Sequence, residues 1–179
     1  MNWLPTYFKQ AQHIQFQSLG FYNFLPWCCA ALLLWGIGIL SDKIFTKTKN
    51  LRYARTYPII ITQSIAAICM LSIDFVQDFN LILLCITLGV GFAISANAPF
   101  YAVNVDIAKE RAGSALGIMS FGFSLAGILA PILTGYILNW THSFDNVFYF
   151  MAVLTLISIV NLLLMHNRNN AYKIHFAEA

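Results

Sequence analysis

The sequence predicts an all-α, polytopic membrane protein that crosses a bilayer about five times. Three observations carry this expectation. Hydrophobic residues make up 59% of the 179 residues and charged residues only 9%, against roughly 25% charged in a soluble globular domain; mean hydropathy is +0.70. The apolar residues gather into five uncharged runs, each of the length that a hydrocarbon core of about 30 Å asks of a helix. The connections between the runs alternate between basic and non-basic. Backbone polar groups inside a bilayer must be satisfied within their own segment, so such runs are helices.

Residues 1–20 are mixed, with Pro5 and a polar segment from Lys9 to Gln17, and are too short and polar to span. They do not make a signal peptide: the one early charge is Lys9, and the apolar run that follows is too long for an h-region. The first span is 21–40, with Pro26 near its start, where a proline removes few backbone bonds. Residues 41–56 then carry Lys43, Lys47, Lys49, Arg52 and Arg55 against one acid, Asp42. The second span is 57–73, followed by a turn with Asp74 and Asp78 and no base. The third, 79–105, is 27 residues long and contains Gly89, Gly91 and Pro99, an excess that points to tilt or a kink. A charged turn with Asp106, Lys109, Glu110 and Arg111 leads to the fourth span, 113–138. The fifth is 147–165, and 166–179 form a tail. Of the ten basic residues, nine lie in the 41–56 loop, the 106–112 turn and the tail, and one, Lys9, lies on the other side. The positive-inside rule therefore predicts an outside N-terminus and a cytoplasmic C-terminus.

Polar residues inside the spans are the candidates for function. In the third span Asn97, Tyr101 and Asn104 stand at i, i+4 and i+7, on one helical face, with Ser95 close by. In the fourth, Ser120, Ser124, Gly127, Pro131 and Thr134 step by four, three, four and three. Such a face meets protein or water rather than lipid; it could line a cavity, or it could be a packing seam joined by interhelical hydrogen bonds of about 0.6–2 kcal/mol each. Gly38 permits close helix approach, and Asp42 after it is either a structural contact or a solvated loop acid beside Lys43. Cys28, Cys29, Cys69 and Cys85 lie in apolar runs with no zinc or redox spacing and read as small buried hydrophobes. No metal site, cofactor or nucleic-acid partner is expected. An enzyme is not expected either: Ser124 lies mid-span, whereas His13, His142, His166 and His175 sit at span ends or beyond, and a serine nucleophile needs its base within about 3 Å. No ionisable group lies at mid-depth, where a proton relay would need one.

Four motifs add a family resemblance. WLPTYF at Trp3–Phe8, GILSDK at Gly38–Lys43, VNVDIAKERAGSALGIM at Val103–Met119 and LAPILTGYI at Leu129–Ile137 resemble, in that order, the C-terminal half of a major facilitator superfamily transporter of the anion:cation symporter branch. The resemblance covers nearly the whole chain. It implies that the five spans are the family's helices eight to twelve, with residues 1–20 holding the outer end of an incomplete seventh. It implies secondary active transport of a small organic anion by alternating access, coupled to a proton or sodium ion, in a bacterial inner or other plasma membrane. Substrate would be held between two halves at mid-membrane. By the same resemblance Ser95, Asn97, Ser120 and Ser124 line the pathway, Tyr101 and Asn104 stand at its cytoplasmic gate, Gly127 and Pro131 let the eleventh helix bend, and Gly38 and Asp42 hold one conformational state through cationic partners.

The chain departs from the family pattern in two respects. The first six helices and most of the seventh have no counterpart, and the basic continuation after GILSDK is replaced by IFTKTKN at Ile44–Asn50. The expectation is thus a truncated transporter, or a split one whose N-terminal half is a separate partner. The alternative is a non-transporting helical partner or an inactive relic.

Overall fold

A computed structural model describes Tyr7 and residues 16–168; the expected helix-seven remnant (Tyr7 apart) and the tail from residue 169 lie outside the described residues. Within 16–168 the order is α1 (Phe16–Thr48), a π-helical turn (Arg52–Thr56), α2 (Tyr57–Ser72), a 3-10 turn (Ile73–Phe75), α3 (Phe79–Ser95), α4 (Asn97–Ala108), a second 3-10 turn (Lys109–Arg111), α5 (Ala112–Thr141) and α6 (Asp145–Arg168). Four helical stretches are long and apolar enough to cross a membrane: 20–48, 52–75, 79–141 and 145–164. The third has 63 residues, roughly three bilayer cores long at 1.5 Å per residue, and it is folded back on itself. Lys109 makes the reversal with φ 45° and ψ −109°. Beyond it, Asn104 meets Met119 and Tyr101 meets Phe123, so α5 runs antiparallel to α4. The four stretches thus hold five apolar helical segments, the third stretch contributing two.

Contacts along α1 fix the direction of the others. Tyr22 stacks edge-on against Phe79, Gly91 lies over Cys29 and Leu33, and Gly38 meets Ala98. The numbers rise together, so α1 and the α3–α4 rod run parallel, with α2 returning on the other side of α3.

Of the two prolines singled out in the sequence, Pro26 departs from its expected place and Pro99 marks the expected bend. α1 begins at Phe16, so Pro26 is ten residues inside it rather than near its start, fully buried, and deprives the Tyr22 carbonyl of its helical donor. α1 also continues to Thr48, placing Ser41 and Asp42 on a helix and not in a loop. The 27-residue third run is divided at Ala96. Pro99 has no N–H for the Ser95 carbonyl, and the ladder resumes with Phe100 N–H donating to Ala96 O at 3.1 Å. Ala96 keeps φ −59° and ψ −22°, so this is a bend within a rod, whereas Lys109 is a turn.

The apolar core lies at the non-basic end, between α2, α3, α6 and Tyr7. Met70, Ile73, Ile82, Ile86, Val90, Phe144, Phe148 and Ala152 form it, with the Tyr7 ring edge-on to Phe144 and Phe148 at 5.3 and 5.2 Å. Two glycines let α3 sit tightly between its neighbours. A Cβ at Gly89 would stand 2.8 Å from Met70 Cε, and one at Gly91 would stand 2.9 Å from Cys29 Sγ and Leu33 Cδ1. Small residues of this kind bring helices together in lipid, where no hydrophobic force does so. The four cysteines are free and half-buried rather than fully buried.

Candidate functional site

At the basic end, the sequence places Ser41, Asp42 and Phe45 on one side of α1, and the turn 52–56 packs against that side. Its Arg55 is 5% exposed. Arg55 Nη1 donates to Ser41 Oγ and to Asp42 Oδ1, each at 2.7 Å, and Nε donates to Asp106 Oδ2 at 2.9 Å. Ser41 Oγ in turn donates to Ala54 O at 2.6 Å, and the guanidinium carbon lies 5.1 Å from the Phe45 ring centroid. A buried guanidinium needs such partners, because an uncompensated buried charge costs several kcal/mol, and its planar fork can hold several acceptors at once. One side chain thereby joins α1, the 52–56 turn and the end of α4.

The two acids are not equivalent. The Asp42 side chain is 68% exposed and that of Asp106 only 22%. The Asp42 contact is screened by water and is worth under about 1 kcal/mol; Asp106 is the stronger anchor. Sequence reasoning singled out Asp42 and missed both Arg55 and Asp106. One signal distinguished Arg55 from the neighbouring lysines: it is the last base before the second span, and so the one drawn furthest toward the bundle.

The remaining candidates fall into two environments. Gly38 makes ordinary contact with Ala98 Cβ at 3.6 Å, bringing α1 against α4. Ser95 is fully buried, and its hydroxyl donates to Phe92 O at 2.8 Å, in the turn before the bend. Asn97 is half-buried at the first position of α4. Tyr101 and Asn104 face α5: the Tyr101 ring lies 6.1 Å from that of Phe123, and Asn104 Nδ2 donates to Phe100 O at 3.0 Å and approaches Met119 Sδ at 2.9 Å. Beside them an open groove of about 310 Å³ is lined by Phe100, Asn104, Ala115, Ile118, Met119 and Phe123.

Ser120, Ser124, Gly127 and Pro131 are all exposed. The Ser124 hydroxyl donates to Ser120 O, one helical turn back, at 2.9 Å. A Cβ built on Gly127 would meet nothing within 4 Å, and Pro131 takes the helical donor from the Gly127 carbonyl. Of the α5 residues only Thr134 is buried. The stripe is therefore an open face of the described residues, backed on its other side by α4. Ser95 does not join it.

The comparisons with known proteins agree with this architecture. The model of the Major Facilitator Superfamily matches residues 1–177. A probable sulfoacetate transporter of Cupriavidus necator is 30% identical over 86% of this chain, but the match covers 36% of that protein. A probable galactarate/D-glucarate transporter of Bacillus subtilis is 30% identical over 92% of this chain and 36% of its own length. Probable anion transporter 6 of rice (Oryza sativa subsp. japonica) is 32% identical over 78% of this chain and 33% of its own. The chain thus spans about a third of the length of the curated relatives it matches. With a folded-back series of apolar helices and a family model that matches residues 1–177, the chain belongs to the major facilitator superfamily.

Proposed function

We propose that this chain is part of a secondary transporter for small organic anions and supplies one wall of its central pathway. The carrying observation is α5: a helix apolar enough to span, with Ser120, Ser124, Gly127 and Pro131 open and unpacked, in a chain matching a third of proteins named as anion transporters. In this reading the five passes correspond to helices eight to twelve, and α4 and α5 face a second half across the pathway. Asn97, Ser120 and Ser124 are the pathway groups; Tyr101 and Asn104 close the seam near the basic end; Gly127 and Pro131 give α5 its bend. Gly38, Asp42 and the Arg55 cluster hold the basic ends of α1 and α4 together as one body during alternating access. The basic end is cytoplasmic, on the distribution of lysine and arginine, and the membrane is a plasma membrane. The chain performs no covalent chemistry.

Substrate carboxylates need a cation, and a proton or sodium ion needs a mid-depth ligand set. Among the described residues of the five spans no charged side chain stands at mid-depth, so in this reading the substrate's cation and the proton-coupling group come from the partner half. The test is uptake of a labelled aldarate or sulfonate into proteoliposomes. The chain alone should transport nothing, and the chain reconstituted with a matching N-terminal half from a relative should transport. Uptake by the chain alone overturns the half-site reading. Absence of uptake in both arms, with the two halves co-purifying, favours a non-transporting membrane partner.

A further inference from the structure

Toward the non-basic end, α1 and α3 each carry a buried oxygen that has no partner. Among the described residues, Asn23 Oδ1 and Thr87 Oγ1 are the side-chain polar atoms that are closed off from solvent and make no hydrogen bond. A helical hydroxyl has a ready solution in its own backbone. Those of Thr62, Ser72, Ser95 and Thr155 take it, each donating to a carbonyl three or four residues back. Thr87 does not. An unpaired polar group is costly where water cannot reach it, so the two oxygens point to an occupant.

The packing of the two helices brings these oxygens to one level. α1 comes so close to α3 at Gly91 that a Cβ there would lie 3.6 Å from the backbone nitrogen of Ala30. Thr87 is one turn before Gly91 on the same side of α3, and Pro26 is one turn before Ala30 on the same side of α1. Because the helices run parallel, Thr87 comes level with Pro26. Asn23 lies three residues before Pro26, on the side of α1 that Pro26 and Ala30 bury. Along the common axis Asn23 and Thr87 are thus separated by about 4.5 Å, at 1.5 Å per residue, a span that one small ion bridges. Pro26 sets a break in the α1 ladder between them.

The chemistry of the pair selects the occupant. An amide oxygen only accepts, so it draws positive charge. A divalent ion would call for carboxylates, and the acids of these two helices, Asp42 and the N-cap Asp78, lie at their ends. Neutral oxygens beside an interrupted helix are the surroundings in which membrane transporters hold sodium. We infer that Asn23 and Thr87 belong to a binding site for a monovalent cation, sodium, between α1 and α3.

The ion's role in coupling rests on the transporter reading, but the site itself does not, so binding is measured on the full chain without transport. The experiment follows thermal unfolding of the purified chain in detergent, by circular dichroism, in sodium, potassium and choline chloride at equal ionic strength. Sodium should raise the midpoint saturably above the other two salts. Thr87→Val keeps the shape of the side chain and removes the hydroxyl. Without sodium it should be no less stable than the wild type, because the lost hydroxyl had no partner. It should nevertheless need about tenfold more sodium, or still more, for the same response, and Asn23→Leu should behave alike. Equal midpoints in the three salts, or an unchanged sodium response in either variant, overturns the inference. A Thr87→Val chain destabilised equally in all three salts means a bound water and overturns it too. If the variants fail to fold, the wild type decides: radiolabelled sodium should bind saturably and be displaced by unlabelled sodium but not by potassium. Absence of saturable binding, or displacement by potassium, overturns the site. Sodium binding without uptake by the paired halves would leave the site standing and count against transport; uptake without sodium binding would do the reverse.

Discussion

α3 and α5 are both apolar enough to cross a bilayer, yet they are used in opposite ways. Along α3, Ile82, Ile86, Gly89, Val90, Gly91 and Ser95 are buried, with α1 on one side and α2 on the other. Along α5, Thr134 alone is buried, and ten of its large hydrophobic side chains are exposed. The contrast follows from what holds helices together in lipid. Apolarity inserts a helix but does not pair it with another, since lipid tails are as apolar as leucine; close packing and interhelical hydrogen bonds do the pairing. α3 has two glycines at which neighbouring side chains occupy the space of a Cβ, whereas the five glycines of α5 face open space. Glycine therefore has two uses in one chain: contact on α3, and an unfilled face on α5.

The largest expected effect breaks the anchor that ties α4, and with it α5, to the packed helices. Arg55→Ala leaves Asp106 partly buried without its cation and should lower stability by about 3 kcal/mol, read from SDS titration of helical circular dichroism. A loss below about 1 kcal/mol would mean that the cluster is ornamental to folding. Next is Gly91→Leu, which drives a side chain into Cys29 and Leu33 and should cost about 1–3 kcal/mol by overpacking. Gly127→Leu is its counterpart on α5 and should change the stability of this chain by no more than about 0.5 kcal/mol. Equal losses from the two substitutions would erase the difference between the helices.

Asp42→Asn and Asp106→Asn sharpen the anchor itself. The exposed Asp42 should cost under about 1 kcal/mol and the better-buried Asp106 more, with the Asp42 effect the one that vanishes in high salt. The reverse order would restore Asp42 as the principal partner. The smallest effect is a labelling pattern rather than a stability change. In a cysteine-free background, Ser124→Cys should react with a membrane-impermeant maleimide faster than Phe121→Cys, and adding a complementary half should slow the former. Equal rates would place lipid, not water, over the serine face.

Much of the fold was legible before any coordinates. Phe21–Leu40 and Val147–Met165 read as helices because a chain in hydrocarbon has no other way to satisfy its backbone. Pro99 announced an irregularity in an over-long run, and the break came at Ala96, within one helical turn. The stripe Ser120–Ser124–Gly127–Pro131 was visible as a period, although its openness was not. Ser95, which the family resemblance set in the same pathway, is buried, as a serine that donates to its own helix can pack like an alanine.

By itself the sequence determined which segments are long and apolar enough to enter a bilayer and where the basic residues concentrate, since these depend on properties summed along a local run. It also determined the helix-side periodicities, which depend only on 3.6 residues per turn. The tertiary structure alone decided which of five basic residues between 41 and 56 would be buried, because that choice depends on Ser41 and Asp42 of α1 and Asp106 of α4 converging on one guanidinium. It also decided which glycines touch a neighbour. A glycine's lack of a side chain is a local property; the neighbouring side chain that comes to fill the space is not.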